Sequence, residues 1–87
     1  EGFYLSQNYP NPFNPETIIR YHTPSAGAVS IKVYDQIGNL IKVLVNEQQP
    51  PGEHSVAFDA GKLASGVYFY RISVGNFSET KKMLLLR

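Results

Sequence analysis

Apolar and polar residues alternate with a period of two along most of this chain, and no stretch repeats at the helical period. The clearest run sets Val29, Ile31 and Val33 against Ser30, Lys32 and Tyr34. Thr17 to Thr23 places Ile19 and Tyr21 on one face and Ile18, Arg20 and His22 on the other. His54, Val56 and Phe58 alternate with Glu53, Ser55 and Ala57. Val67 to Val74 carries Tyr68, Tyr70, Ile72 and Val74 on one face, and Phe77 to Leu86 returns after the hairpin signal Gly75-Asn76. Leu40 to Asn46 is apolar on both faces, which predicts a bulge or a change of sheet there. Phe3 to Ser6 reads as a short first strand.

Turn chemistry separates these runs. Pro24-Ser25-Ala26-Gly27, Gly38-Asn39 and Gln48-Gln49-Pro50-Pro51-Gly52 break the chain. Ala60 to Gly66 is a compact connection with Leu63 as its plug into the core. Roughly six to seven short strands at this spacing predict an all-β fold, an immunoglobulin-like antiparallel two-sheet β-sandwich. The expected core is Ile19, Tyr21, Val29, Ile31, Val33, Val56, Phe58, Leu63, Tyr68, Tyr70 and Ile72. No internal repeat is present.

The opening differs in kind. In Asn8-Tyr9-Pro10-Asn11-Pro12-Phe13-Asn14-Pro15 each proline fixes its own φ and pushes its predecessor toward extended geometry. Residues 1–16 are therefore expected to form an extended Pro-rich segment, PPII-like with turns at the asparagines, ahead of a sandwich over 17–87. Tyr9 and Phe13 are both expected to pin it to the sandwich.

At 87 residues the chain is one domain with a thin core. Eight Lys and Arg against seven Asp and Glu give a net charge of +1, without the basic surplus of a phosphate-neutralising nucleic-acid binder. There is no Cys, hence no disulfide and no thiolate chemistry. The longest apolar run, Met83 to Leu86, is far short of the about 20 residues of a membrane helix, so no direct membrane insertion is expected. No secretory leader opens the sequence, so it reads as cytosolic or as one module of a longer chain.

Candidate chemistry is sparse. The only imidazoles are His22 and His54, both on strand runs, and Asp35 and Asp59 sit at strand ends where Asp organises turns. A Ser55–His22–Asp35 triad would need a deep pocket that a thin sandwich rarely forms. Two His without an acidic cluster make a poor zinc set, and Asp35, Glu53 and Asp59 lack the spacing of a calcium loop. Gly61 and Gly66 flank Lys62 without a phosphate-loop pattern and read as turn residues with positive φ. No catalytic residue, metal ligand or cofactor is assigned.

Two features remain. The aromatics Tyr34, Tyr68, Phe69, Tyr70 and Phe77 read either as core or as a sugar-stacking platform, the mark of a carbohydrate-binding or adhesion module. The segment Thr80-Lys81-Lys82-Met83-Leu84-Leu85-Leu86-Arg87 reads either as a closing strand with a lysine-guarded edge or as an address read by strand pairing.

These elements resemble one family. Asn8-Tyr9-Pro10-Asn11-Pro12-Phe13-Asn14-Pro15 looks like its opening motif, and Val33-Tyr34-Asp35 followed by Gly38 looks like its middle motif. Leu63 to Tyr70, with Gly66 and Tyr68, and Lys81 to Leu86 look like its closing motifs. This is the type IX secretion C-terminal sorting domain (type A) of Bacteroidetes and related phyla, itself similar to the immunoglobulin-like domain of the flagellar hook-capping protein. The resemblance covers the chain from about Leu5 to Arg87; Thr23 departs from it where the family usually has an apolar residue. It implies a non-enzymatic sorting signal that ends a secreted cargo protein and is read by the outer-membrane translocon after passage through the periplasm. A sortase-like peptidase would then remove or exchange it as the cargo reaches the cell surface. The implied recognition residues are Lys81, Lys82, Met83, Leu84, Leu85, Leu86 and Arg87. The other readings are the carbohydrate-binding or adhesion module and a structural spacer.

Overall fold

The computed structural model describes residues 2–87. Seven strands form: β1 (Tyr4–Leu5), β2 (Glu16–Thr23), β3 (Gly27–Tyr34), β4 (Leu40–Gln49), β5 (Gly52–Asp59), β6 (Gly66–Val74) and β7 (Phe77–Leu85). There is no helix among the described residues. The strands make two antiparallel sheets, β1-β2-β5 and β4-β3-β6-β7. The chain changes sheet at Pro24 to Ala26, at Pro50-Pro51 and at Ala60 to Ser65, where its turn residues and prolines stop each ladder.

Alternation places the core as expected between the sheets. Ile19, Tyr21, Val29, Ile31, Val33, Phe58, Tyr68, Tyr70 and Ile72 are buried. Val56 and Leu63 are only partly buried, packed against the cluster from its margin. Val45, Met83, Leu85, Leu5, Phe13, Ala60 and Val74 complete it. Thr23 also faces inward and is buried, and its hydroxyl is satisfied by donating to the Pro50 carbonyl at 3.3 Å.

The bulge anticipated in the Leu40 run is present twice. The β3–β4 register shifts between Ile31 and Lys32 and again between Val33 and Tyr34. This lets Val45 reach the core while Leu40 and Val43 stay exposed on an irregular edge strand. The β6–β7 ladder runs unbroken from Gly66↔Leu85 to Val74↔Phe77.

The opening segment bends at Pro10 to Pro12 and again at Asn14-Pro15, between isolated bridges at Tyr9 and Phe13. Asn8 is itself buried, and its amide donates to the Thr17 hydroxyl at 3.0 Å and the Pro10 carbonyl at 3.2 Å. The Thr17 hydroxyl donates in turn to Pro10 O at 2.8 Å. Phe13 is buried against Phe58 at 6.0 Å between ring centroids, as expected. Tyr9 is not: it is 73% exposed, because its backbone bonds to Ile18 aim the ring outward.

Candidate functional site

Four stretches far apart in sequence meet at one end of the sandwich. There β6 begins at Gly66, β7 ends at Leu85, β3 ends at Tyr34 and β2 begins at Glu16. The opening segment runs across this end and pairs with the last strand. Phe13 N–H donates to Leu84 O and Leu86 N–H donates to Phe13 O, both at 3.0 Å, a parallel bridge between Phe13 and Leu85. Leu84 N–H donates to Asn11 Oδ1 at 3.0 Å, and Gln7 Nε2 donates to Lys82 O at 2.7 Å.

These bonds alter what the terminal strand can offer. The outward backbone groups of β7 between Lys82 and Leu86 are largely taken by residues 7–13, so a partner cannot simply add a strand along that half. Met83 and Leu85 are fully buried in the core. Lys82, Leu86 and Arg87 are exposed, while Lys81 and Leu84 are half-buried. Lys81 forms an ion pair with Glu79 at 3.4 Å on the partly exposed surface. Arg87 folds back, its Nε donating to Leu63 O at 2.7 Å and its N–H to Ser65 Oγ at 3.0 Å.

The connection beneath Arg87 is held by Tyr68, whose hydroxyl donates to Ala64 O at 2.8 Å. Gly66 takes a φ of 151° where the chain enters β6, a conformation that favours glycine. Across from it, the Asp35 carboxylate organises the β3–β4 turn. It accepts from Ile37 N–H at 3.1 Å, Asn39 N–H at 2.9 Å and Asn39 Nδ2 at 3.1 Å. The backbone bond from Asn39, foremost among these, holds the Asp35 carboxyl below its ordinary range. Gly38 follows with a φ of 93°. The turn and the start of β6 enclose a shallow cavity of about 360 Å³ lined by Asp35, Ile37, Gly66 and Tyr68.

The structure thus gathers Tyr9, Pro10, Asn11, Pro12, Phe13, Asp35, Gly38, Gly66, Tyr68 and the residues from Lys82 to Arg87 at one end. The sequence carried Asn8 only as the first residue of the opening motif, and two further organisers were missed: Gln7 and the Tyr70 hydroxyl. Tyr70 OH donates to Ser6 O at 2.7 Å and accepts from Asn8 N–H at 2.7 Å. Burial pushes this phenol up to about 12. The alternation places the Tyr70 ring in the core, but nothing in it shows what the hydroxyl reaches.

The histidines do not converge on a nucleophile. His22 Nδ1 lies 3.0 Å from Gly2 O, and its ring stacks on Tyr4. His54 Nε2 lies 2.8 Å from Pro50 O, and its ring stacks on Tyr21. Asp59 accepts from Gly61 N–H at 2.8 Å, a turn role. No group of three acidic, His or Cys residues suited to a metal occurs among the described residues.

Comparison with known proteins fits this arrangement. A search of the curated proteins gave no match. A solved structure from Porphyromonas gingivalis, PorZ, an essential bacterial surface component of the type-IX secretion system, contains a region of the same fold. That region gives a TM-score of 0.63 at 22% identity over 99% of this chain. The chain spans 12% of that protein's length, and at this identity the likeness is one of fold. The family described as "Secretion system C-terminal sorting domain" matches residues 7–86, from the buried opening segment to the terminal strand. Nearly the whole chain is matched, so it belongs to the type IX secretion C-terminal sorting domains, the signals that mark proteins for secretion or attachment at the cell surface.

Proposed function

We propose that the translocon reads a composite surface at this end of the sandwich, made by the opening motif and the terminal strand together. The carrying observation is the hydrogen-bonded strap of residues 7–13 along β7. It leaves Lys82, Leu86 and Arg87 exposed on the terminal segment and Tyr9, Pro10 and Pro12 exposed on the strap. Cations and a fixed, exposed aromatic ring suit recognition by a partner surface. In this reading Met83 and Leu85 act through the fold, and Lys81 adds charge at the margin.

The domain acts in cis on a cargo domain joined upstream of the opening segment, which follows a periplasmic route to the outer membrane. A sortase-like peptidase then removes or exchanges the domain as the cargo is attached to the surface. The domain is a substrate and signal, with no catalysis of its own.

Fusion to a periplasmic reporter in a type IX host tests this. Lys82→Ala combined with Tyr9→Ala should leave a folded domain and reduce surface display of the reporter. Full display from a folded double variant would refute the composite surface. Normal export after deletion of residues 83–87 would remove the terminal strand from the signal altogether.

A further inference from the structure

The outer face of the four-stranded sheet carries a charge arrangement that folding alone does not favour. Lys32 on β3 lies directly opposite Arg71 on β6, and their outward-facing neighbours in register are Tyr34 and Phe69. Like charges directly opposite each other destabilise a sheet. On β7, Lys82 is the partner of Phe69 and Thr80 the partner of Arg71. Lys32, Arg71 and Lys82 therefore surround one half-buried aromatic pair, roughly 5 Å apart across strands and about 7 Å along them.

Among the described residues no carboxylate pairs with them. The outward positions of β3, β6 and β7 hold no Asp or Glu, and the outward partners on β4 are Leu40, Val43, Asn46 and Gln48. Glu79 pairs with core-facing Ile72 and Glu47 with core-facing Val29, so both lie on the other side of the sheet. Asp35 at the rim is committed to its own turn. Among the described residues the one ion pair is Lys81–Glu79, away from this face. Arg71 uses one nitrogen to donate to Ser78 Oγ at 3.2 Å. A cavity of about 460 Å³ lies over Tyr34, Phe69, Arg71 and Thr80, with Asp35, Gln36 and Gly38 of the β3–β4 turn closing one side and Lys32 outside its lining.

We propose that this face binds an anionic polysaccharide. One sugar ring lies against the Tyr34–Phe69 pair, and its carboxylate or other acidic substituent is held between Lys32 and Arg71. The central strands β3 and β6 are paired on both sides, so they have no free backbone edge for an acidic peptide to extend. A flat, ring-shaped ligand instead uses what the face does offer: aromatic surface, cations and the Thr80 and Ser73 hydroxyls. The bound anion relieves the Lys32–Arg71 repulsion, so a local conflict in the sheet is turned into affinity. Of the two defining cations, Lys32 and Arg71, neither lies in the end surface assigned to sorting, so this proposal and that one fail separately.

The test uses the purified domain at low ionic strength with polygalacturonate, neutral dextran of similar length, and polyglutamate. Polygalacturonate should bind, shift the amide resonances of Lys32, Tyr34, Phe69 and Arg71, and weaken as salt is added. Dextran should not bind. Lys32→Thr should weaken polygalacturonate binding about fivefold or more, yet raise the denaturation midpoint of the free domain by removing the like-charge pair. An affinity unchanged in Lys32→Thr, or resonance shifts confined to other faces, would overturn the proposal. Polyglutamate binding as tight as polygalacturonate would overturn the assignment to a sugar. Phe69→Ala should weaken polygalacturonate binding further; should that variant fail to fold, Lys32→Thr and the resonance map still decide.

Discussion

The Tyr70 hydroxyl, on a central strand of one sheet, accepts a hydrogen bond from the backbone N–H of Asn8 at 2.7 Å, 62 residues earlier in the chain. It also donates to Ser6 O, so one phenol holds the opening segment at two points, two residues apart. Tyr70→Phe keeps the packing and removes both bonds, leaving a buried N–H without its partner. The expected loss is about 1–3 kcal/mol, read from urea unfolding, with faster hydrogen exchange over residues 6–13.

The same phenol sets an alkaline limit. Burial raises its folded value to about 12, above the ordinary 10.0. Its contribution to stability is thus complete below about pH 10 and is lost as pH rises toward 12. Tyr21, pushed up by burial as well, acts in the same direction. Circular dichroism between pH 9 and 12 should show unfolding on this limb, and Tyr70→Phe should flatten it.

Phe13 and Tyr9 belong to one motif and should behave oppositely. Phe13→Ala empties a buried site against Phe58 and should cost about 3–5 kcal/mol. It should also release the Leu84 and Leu86 amides to exchange. Tyr9→Ala alters an exposed ring and should stay within about 0.5 kcal/mol of the parent. Equal effects from the two would contradict the packing.

On the terminal strand, stability and charge separate by register. Met83→Ala should cost about 2–5 kcal/mol because the side chain is fully buried. Lys81→Ala with Lys82→Ala should cost under about 1 kcal/mol, since the Lys81–Glu79 pair is partly exposed. Thermal melts of the two variants check this before any export assay is interpreted.

Hydrolase assays on the purified domain should show no turnover, and His54→Ala should change none. His54 is engaged by the Pro50 carbonyl and the Tyr21 ring rather than by a nucleophile. Turnover that disappears in His54→Ala would overturn this.

Strand order along the chain, the faces of β2, β3 and β6 and the bulged β4 were legible because they follow from side-chain alternation and local turn chemistry. The strap was not. Prolines in Tyr9 to Pro15 exclude a helix and a central strand, but they do not say which asparagine turns inward. Asn8 is buried because Thr17, Pro10 and Tyr70 together satisfy it, and that coincidence is tertiary. For the same reason the pattern could not separate Phe13 from Tyr9, or show that the β7 edge near Leu84 is already occupied.

The Phe13–Leu85 bridge is parallel. A pull on the chain upstream of Tyr9, opposed by a hold near Arg87, drives these two segments past each other along their length. The bonds of Gln7, Asn11 and Phe13 to the last strand then share the load at once instead of opening one by one. Tension applied between the start of the strap and the end of β7 is therefore carried in shear along the paired segments.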